Sequence, residues 1–141
     1  MKKLAIFVEG QTELIIVRKL LYLLFPTKPF NFVCLQLRSA NFSEVPYSFN
    51  NPCAEYFFQI INVECDEKVL SAILEYEKSL YDKGYSQIFA LRDMYSEKYI
   101  NNCGREIIPS CIEKFLDTTK SVISELALNP AKVSFHFSVM E

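Results

Sequence analysis

Two acids in this chain stand where a buried strand gives way to polar sequence. Glu9 follows the run Leu4-Ala5-Ile6-Phe7-Val8, and Asp93 follows Ser86-Gln87-Ile88-Phe89-Ala90-Leu91-Arg92. In open parallel sheets, ligands bind beyond the carboxyl ends of the strands, where the amino ends of the next helices point their amides. If the two strands are neighbours, the carboxylates share one crevice, and each disfavours the other's charge unless a cation or a proton lies between them. Oxygen-only ligands of this kind suit Mg2+ or Mn2+. Mg2+ in particular keeps several waters and takes one or two protein carboxylates together with substrate phosphate. The same positions also suit structural work, Glu9 facing a helix dipole and Asp93 capping a helix.

Strands must alternate with helices to place acids in this way, and the hydrophobic pattern reads so. Residues 4–8 look like a strand buried on both faces. Gln11-Thr12-Glu13 then offers a threonine cap and a first-turn acid to a helix carrying Leu14, Val17, Leu21 and Leu24, which ends by Pro26. Strands are expected at residues 32–37 and 56–63. Between them residues 39–52, rich in Asn, Ser and Pro, read as a long loop, either a plain connector or a lid over the strand ends. Asp66-Glu67 opens a helix with an apolar stripe from Val69 to Leu80, stopped by Gly84. The Asp93 strand follows, and then one long helix from Arg105 or Pro109 to Ala127. Alternation in residues 132–139 marks a final edge strand. The expected class is three-layer α/β, a mainly parallel sheet flanked by helices in a Rossmann-like arrangement. One domain spanning residues 1–141 is expected, and because no helix follows the last strand it reads as a piece of a longer protein.

Composition removes several function classes. A net charge of −2 argues against gripping nucleic acid by global electrostatics. The five cysteines form no CxxC pair and read as buried or free thiols of a cytoplasmic protein, not as a disulfide framework or zinc site. His136, the single histidine, lacks a second ligand nearby in sequence and reads as an ordinary imidazole. Gly10, Gly84 and Gly104 are too scattered for a phosphate-cradling loop. The tyrosines from Tyr76 to Tyr99 have no basic cluster around them and read as core and interface aromatics. Neither apolar run near the amino end is long enough for a membrane span or an export signal.

The segment Ile6-Phe7-Val8-Glu9-Gly10-Gln11-Thr12-Glu13, leading straight into an apolar helix, resembles the opening motif of the Toprim domain of topoisomerases, primases and OLD-family nucleases. Leu91-Arg92-Asp93-Met94-Tyr95 resembles the later motif of that family. Toprim domains carry a glutamate after the first strand and an Asp-x-Asp pair after a later one, holding divalent metal for phosphodiester chemistry. The resemblance therefore implies catalytic Glu9 and Asp93, with Glu9 as ligand or general base and Asp93 anchoring Mg2+ or Mn2+. Where the second aspartate is expected the chain has Tyr95, so Glu97 or Glu141 becomes the candidate that completes the metal set. Glu13 would support the site from behind, and Arg92 or Arg18 would meet a phosphate or form a plain ion pair. The implied activity is a nuclease or phosphotransfer domain acting on nucleic acid, of the kind small bacterial relatives encode near phage-defence systems, with contacts supplied in part by a partner protein or an oligomer. The alternative implied by Tyr95 is a catalytically degenerate Toprim-like module that binds or regulates. A receiver-like phosphoacceptor at Asp93 is the third reading, weakened because receivers place paired acids after the first strand.

Overall fold

The computed structural model describes residues 1–26, 29–65 and 67–138. In chain order its elements are β1 (Lys2–Val8), α1 (Gln11–Leu24), β2 (Phe30–Arg38), β3 (Asn41–Glu44), β4 (Tyr56–Asn62), α2 (Lys68–Asp82), β5 (Tyr85–Asp93), α3 (Glu97–Cys103), α4 (Pro109–Leu126) and β6 (Val133–Ser138). Among the described residues these strands make one six-stranded sheet in the order β3-β2-β4-β1-β5-β6. All neighbours are parallel except the β2/β3 pair, which is antiparallel. The class is therefore α/β with a mostly parallel sheet, as the strand and helix alternation requires.

The sheet is covered on both faces because its central strands are apolar on both. Leu4 and Val8 of β1 pack with Leu14, Val17 and Leu21 of α1 and with Phe30, Phe32, Phe58 and Ile60. Ala5 and Phe7 pack on the other face with Val69, Ala72, Ile73 and Leu80 of α2, Ile88 and Ala90 of β5, and Ile123 of α4. Much of the phenylalanine content sits at the α1 face, where the rings of Phe25, Phe30, Phe32, Phe49 and Phe58 lie within 5.6–6.3 Å of a neighbouring ring. Edge and tilted arrangements of this kind add modestly to the gain from area burial. Gly84 ends α2 as its spacing suggests, with φ +84° and its N–H bonded to Tyr81 O at 2.9 Å. Pro109 begins α4, where a missing N–H costs nothing.

Three expectations from sequence are corrected, and one helix is added. Residues 39–52 are not a featureless loop: Ser39 and Ala40, at φ 46° and 63°, turn β2 into β3 as a two-residue hairpin, and Phe49 bridges to Phe32. Two consecutive positive-φ residues match the strand twist, but Ser-Ala lacks the Gly or Asn that usually announces such a turn. The last helix runs from Pro109 as expected, but an unexpected short helix, α3, precedes it: Ser96 caps α3 by accepting from Tyr99 N at 3.2 Å and Gly104, at φ +83°, ends it. α1 is capped at Gly10, not Thr12, which already lies in its first turn. The cysteines are not all free thiols: Cys103 and Cys111 form a disulfide, their Cα atoms 6.3 Å apart, because the turn between α3 and α4 brings the two helix ends together. Asp66, expected to open α2, lies outside the described residues, and α2 itself begins at Lys68 behind Glu67.

Candidate functional site at the ends of β1 and β5

β1 and β5 are adjacent and parallel, with Val8 opposite Leu91, so both lead their next residues to one edge of the sheet. Their following helices leave in opposite directions, α1 to one face and α3–α4 to the face shared with α2. That divergence opens a crevice beyond the strand ends, the usual ligand position in an open α/β sheet.

On the β1 side, Gly10 is extended and its carbonyl accepts from Leu14 N at 3.2 Å, starting α1 immediately. A Cβ at Gly10 would stand 3.0 Å from Glu13 Oε2. Glycine here therefore makes room for Glu13, a carboxylate only 6 % exposed in the first turn, where the helix dipole favours negative charge.

On the β5 side, Asp93 Oδ1 accepts from Tyr95 N at 3.1 Å, an Asx turn that bends the chain out of the strand. Ser96 N then bonds Met94 O at 2.9 Å and the Ser96 hydroxyl caps α3. Fully buried Tyr99 braces the turn from behind: its hydroxyl donates to Glu106 O and accepts from Ile108 N, both at 3.1 Å. β6 holds the strand end, with Met94 N bonded to Ser138 O at 2.8 Å.

The Glu9 carboxylate reaches the Asp93 backbone across the crevice. The Asp93 backbone N–H donates to Glu9 Oε2 at 2.9 Å, and both residues are half-buried. A carboxylate accepting from a backbone amide is a charge-assisted bond, stronger than a neutral one. It fixes the Glu9 side chain over the end of β5, as the Tyr95 amide fixes that of Asp93. Carboxylate oxygens are the donor type that Mg2+ accepts when water completes its shell. By type, Glu9 and Asp93 are the oxygen donors that a hydrated divalent ion takes.

The remaining candidates fall differently. Glu97 lies exposed in the first turn of α3, and Glu141 lies outside the described residues. Among the described residues no three His, Cys, Asp or Glu side chains stand close enough to hold a metal together. Tyr95, at the position of the expected second aspartate, packs its ring edge-on to Tyr99 at 5.5 Å. Asp93 is not the cap of α3, a role Ser96 takes. Arg18 lies over the rings of Tyr47 and Phe32, at 4.9 and 5.6 Å. Arg92 is 9 % exposed and lies over Phe137 at 5.9 Å. His136 is exposed on edge strand β6. Cys34 is buried beneath the hairpin and its thiol is pushed up to about 11, mainly by desolvation and slightly by Glu44, with Arg18 opposing. Burial thus disfavours the thiolate, the nucleophilic form.

Sequence reasoning missed the burial of Glu13, whose only sign is the glycine three residues before it, and the Cys103–Cys111 pair, whose spacing carries no motif. Among the described residues no helix is long and apolar enough to cross a membrane. Comparison with protein-family models, with curated proteins and with solved structures finds no match.

Proposed function

We propose that Glu9 and Asp93 hold a divalent cation, Mg2+ or Mn2+, and that the chain is a Toprim-like domain for phosphodiester hydrolysis or phosphotransfer on nucleic acid, in a setting such as phage defence. The observation that carries this reading is the 2.9 Å bond from Asp93 N to Glu9 Oε2 at the crevice between β1 and β5. It joins the two residues that the Toprim resemblance singles out, 84 positions apart in the chain. When bound, the cation would stabilise charge developing on a phosphoryl oxygen. The chain's own part is positional: the Asp93 and Tyr95 amides orient the two carboxylates before any ligand arrives, which lowers the cost of assembling the site. Glu9 serves as ligand or general base and Asp93 as ligand. Glu97 would have to reach the ion through water from the start of α3.

A second reading has its own observation. Tyr95 turns towards Tyr99 and the α3 packing, so the position of the second family aspartate has become structural. On that reading the domain binds metal or a partner protein without cleaving anything. Calorimetric titration with Mn2+ of the parent protein, Glu9→Ala and Asp93→Ala, followed by incubation with plasmid DNA, separates the two. Binding lost in both variants with metal-dependent cleavage by the parent supports the enzyme. Binding without cleavage supports the module, and absence of Mn2+ binding by the parent overturns the metal site.

A further inference from the structure

Side chains alternate along a strand, so the consecutive residues Arg92 and Asp93 stand on opposite faces of β5. Asp93 follows Phe89 and Leu91 on the α1 face, while Arg92 follows Ile88 and Ala90 on the face of α2 and α4. There α4 stands off the sheet: of its 18 residues only Ile123 is buried, and Phe115 and Val122 are half-buried. The gap is a cavity of about 720 Å3 between the start of α2, the end of β5, α3 and α4. Its volume lies within the range of small-molecule sites.

The lining has a defined chemistry. Arg92, nine-tenths buried, forms part of the wall at the strand end, and Lys98 of α3 and Lys114 of α4 add two ammonium groups. Among the described lining residues Glu67 is the one acid, so these residues together carry a balance of two positive charges. A phosphate monoester carries about −1.5 to −2 at neutral pH, so it matches that surplus better than a singly charged carboxylate does. Guanidinium groups suit phosphate oxygens through their planar fork, and ammonium groups act as point charges. Phe115 gives the cavity an aromatic wall for the body of a ligand. The Cys103–Cys111 disulfide ties α3 to α4 along the same wall, so the lysine-bearing helices are held together before a ligand enters.

We propose that this cavity binds a small organic phosphate, its phosphoryl group on Arg92, Lys98 and Lys114 and its apolar or aromatic body against Phe115. The site is separate from the Glu9–Asp93 crevice and needs no metal.

The test is calorimetric titration of the full chain in EDTA with 5′-AMP, phenyl phosphate, adenosine and inorganic phosphate. At least one of the two organic phosphates should bind, with adenosine and inorganic phosphate each at least tenfold weaker. Lys98→Gln combined with Lys114→Gln changes only exposed side chains, so folding is spared, and should weaken the organic phosphate at least tenfold. Phe115→Leu should weaken 5′-AMP and phenyl phosphate more than inorganic phosphate. Glu9→Gln should change none of these. Failure of both organic phosphates to bind overturns the proposal, as does binding that survives the double lysine substitution or that adenosine matches. Because metal is excluded throughout, these outcomes are independent of whether the carboxylate site holds Mn2+.

Discussion

Glu9 is assigned two tasks, accepting the Asp93 amide and holding a cation, and a pair of substitutions separates them. Glu9→Gln keeps a carbonyl oxygen at nearly the same reach but removes the charge, whereas Glu9→Ala removes both. Either change removes the Glu9 charge, so the stability difference between the two variants isolates the 2.9 Å hydrogen bond. A neutral hydrogen bond contributes about 0.5–1.5 kcal/mol net, and the half-buried position favours the middle of that range. Glu9→Ala should therefore be less stable than Glu9→Gln by about 1 kcal/mol, roughly 3 °C in Tm for a chain of this size. Both should lose Mn2+ affinity by at least tenfold, about 1.4 kcal/mol, because an amide oxygen replaces or vacates a charged ligand. Urea unfolding in EDTA gives the first quantity and Mn2+ calorimetry the second. Equal stability of the two variants would refute the hydrogen bond, and parent-like Mn2+ binding by Glu9→Gln would refute the ligand.

The remaining predictions concern the cysteines and one surface pair. At pH 8, iodoacetamide should label exposed Cys53 quickly and Cys34 at least a hundredfold more slowly, since a thiol pushed up to about 11 from 9.0 has about 1 % of the usual thiolate; comparable labelling rates by mass spectrometry would contradict its burial. Because that thiol ionises later in the folded than in the unfolded chain, its contribution to stability is full below pH 9 and lost as pH rises towards 11, so Cys34→Ser should flatten alkaline unfolding across that window. Denatured protein equilibrated in air should show three reactive thiols and reduced protein five. Reduction should cost about 2.5 kcal/mol by loop-closure entropy for a separation of 8, and five thiols before reduction would remove the disulfide from the argument. Glu64 accepts from Arg38 Nε and Nη2 at 2.7 and 2.8 Å, which holds its carboxyl below the usual range. Its small contribution is present above the normal glutamate value and lost as pH falls, and NMR titration of Arg38→Gln should show it raised towards that value.

The elements that position the site were legible where local chemistry dictates conformation. An unbroken apolar run with β-branched residues made β1 a buried strand, the apolar stripe ending at Gly84 delimited α2, and alternation marked β6 as an edge. What stayed hidden depends on partners far away in the chain or on conformations that carry no residue signature. Ser39 and Ala40 adopt positive φ because β2 and β3 pair around them, a case of tertiary structure overriding turn preference. Ser96 with Glu97 was a readable helix start, but the short α3 that it opens lacks the apolar periodicity that draws attention to a helix. The meeting of Glu9 with Asp93 could be stated only as a condition on strand adjacency, because the order β4-β1-β5 is set by crossovers and not by any local pattern. The cavity was beyond sequence altogether, since it comes from how far α4 stands from the sheet.

The assignment of charges to faces rests on a detail of β5 that no periodicity reveals. Against β1 the register jumps between Lys3 opposite Tyr85 and Leu4 opposite Gln87, so Ser86 is an extra residue, and its hydroxyl donates to Lys3 O at 3.0 Å. The bulge lets Tyr85 and Ile88 share the α2 face although they are an odd number of positions apart. From Gln87 onward the pairing with β1 is regular, and that with β6 is regular from Ile88 to Asp93. A slip of one residue would exchange the faces of Arg92 and Asp93, withdrawing the guanidinium from the lysine-lined cavity and putting a carboxylate there. The proposed anion site would then lose its charge. The Ser86 bulge and the β6 pairing that ends at Ser138 are accordingly what keep Arg92 at the cavity and Asp93 on the opposite face of the same strand.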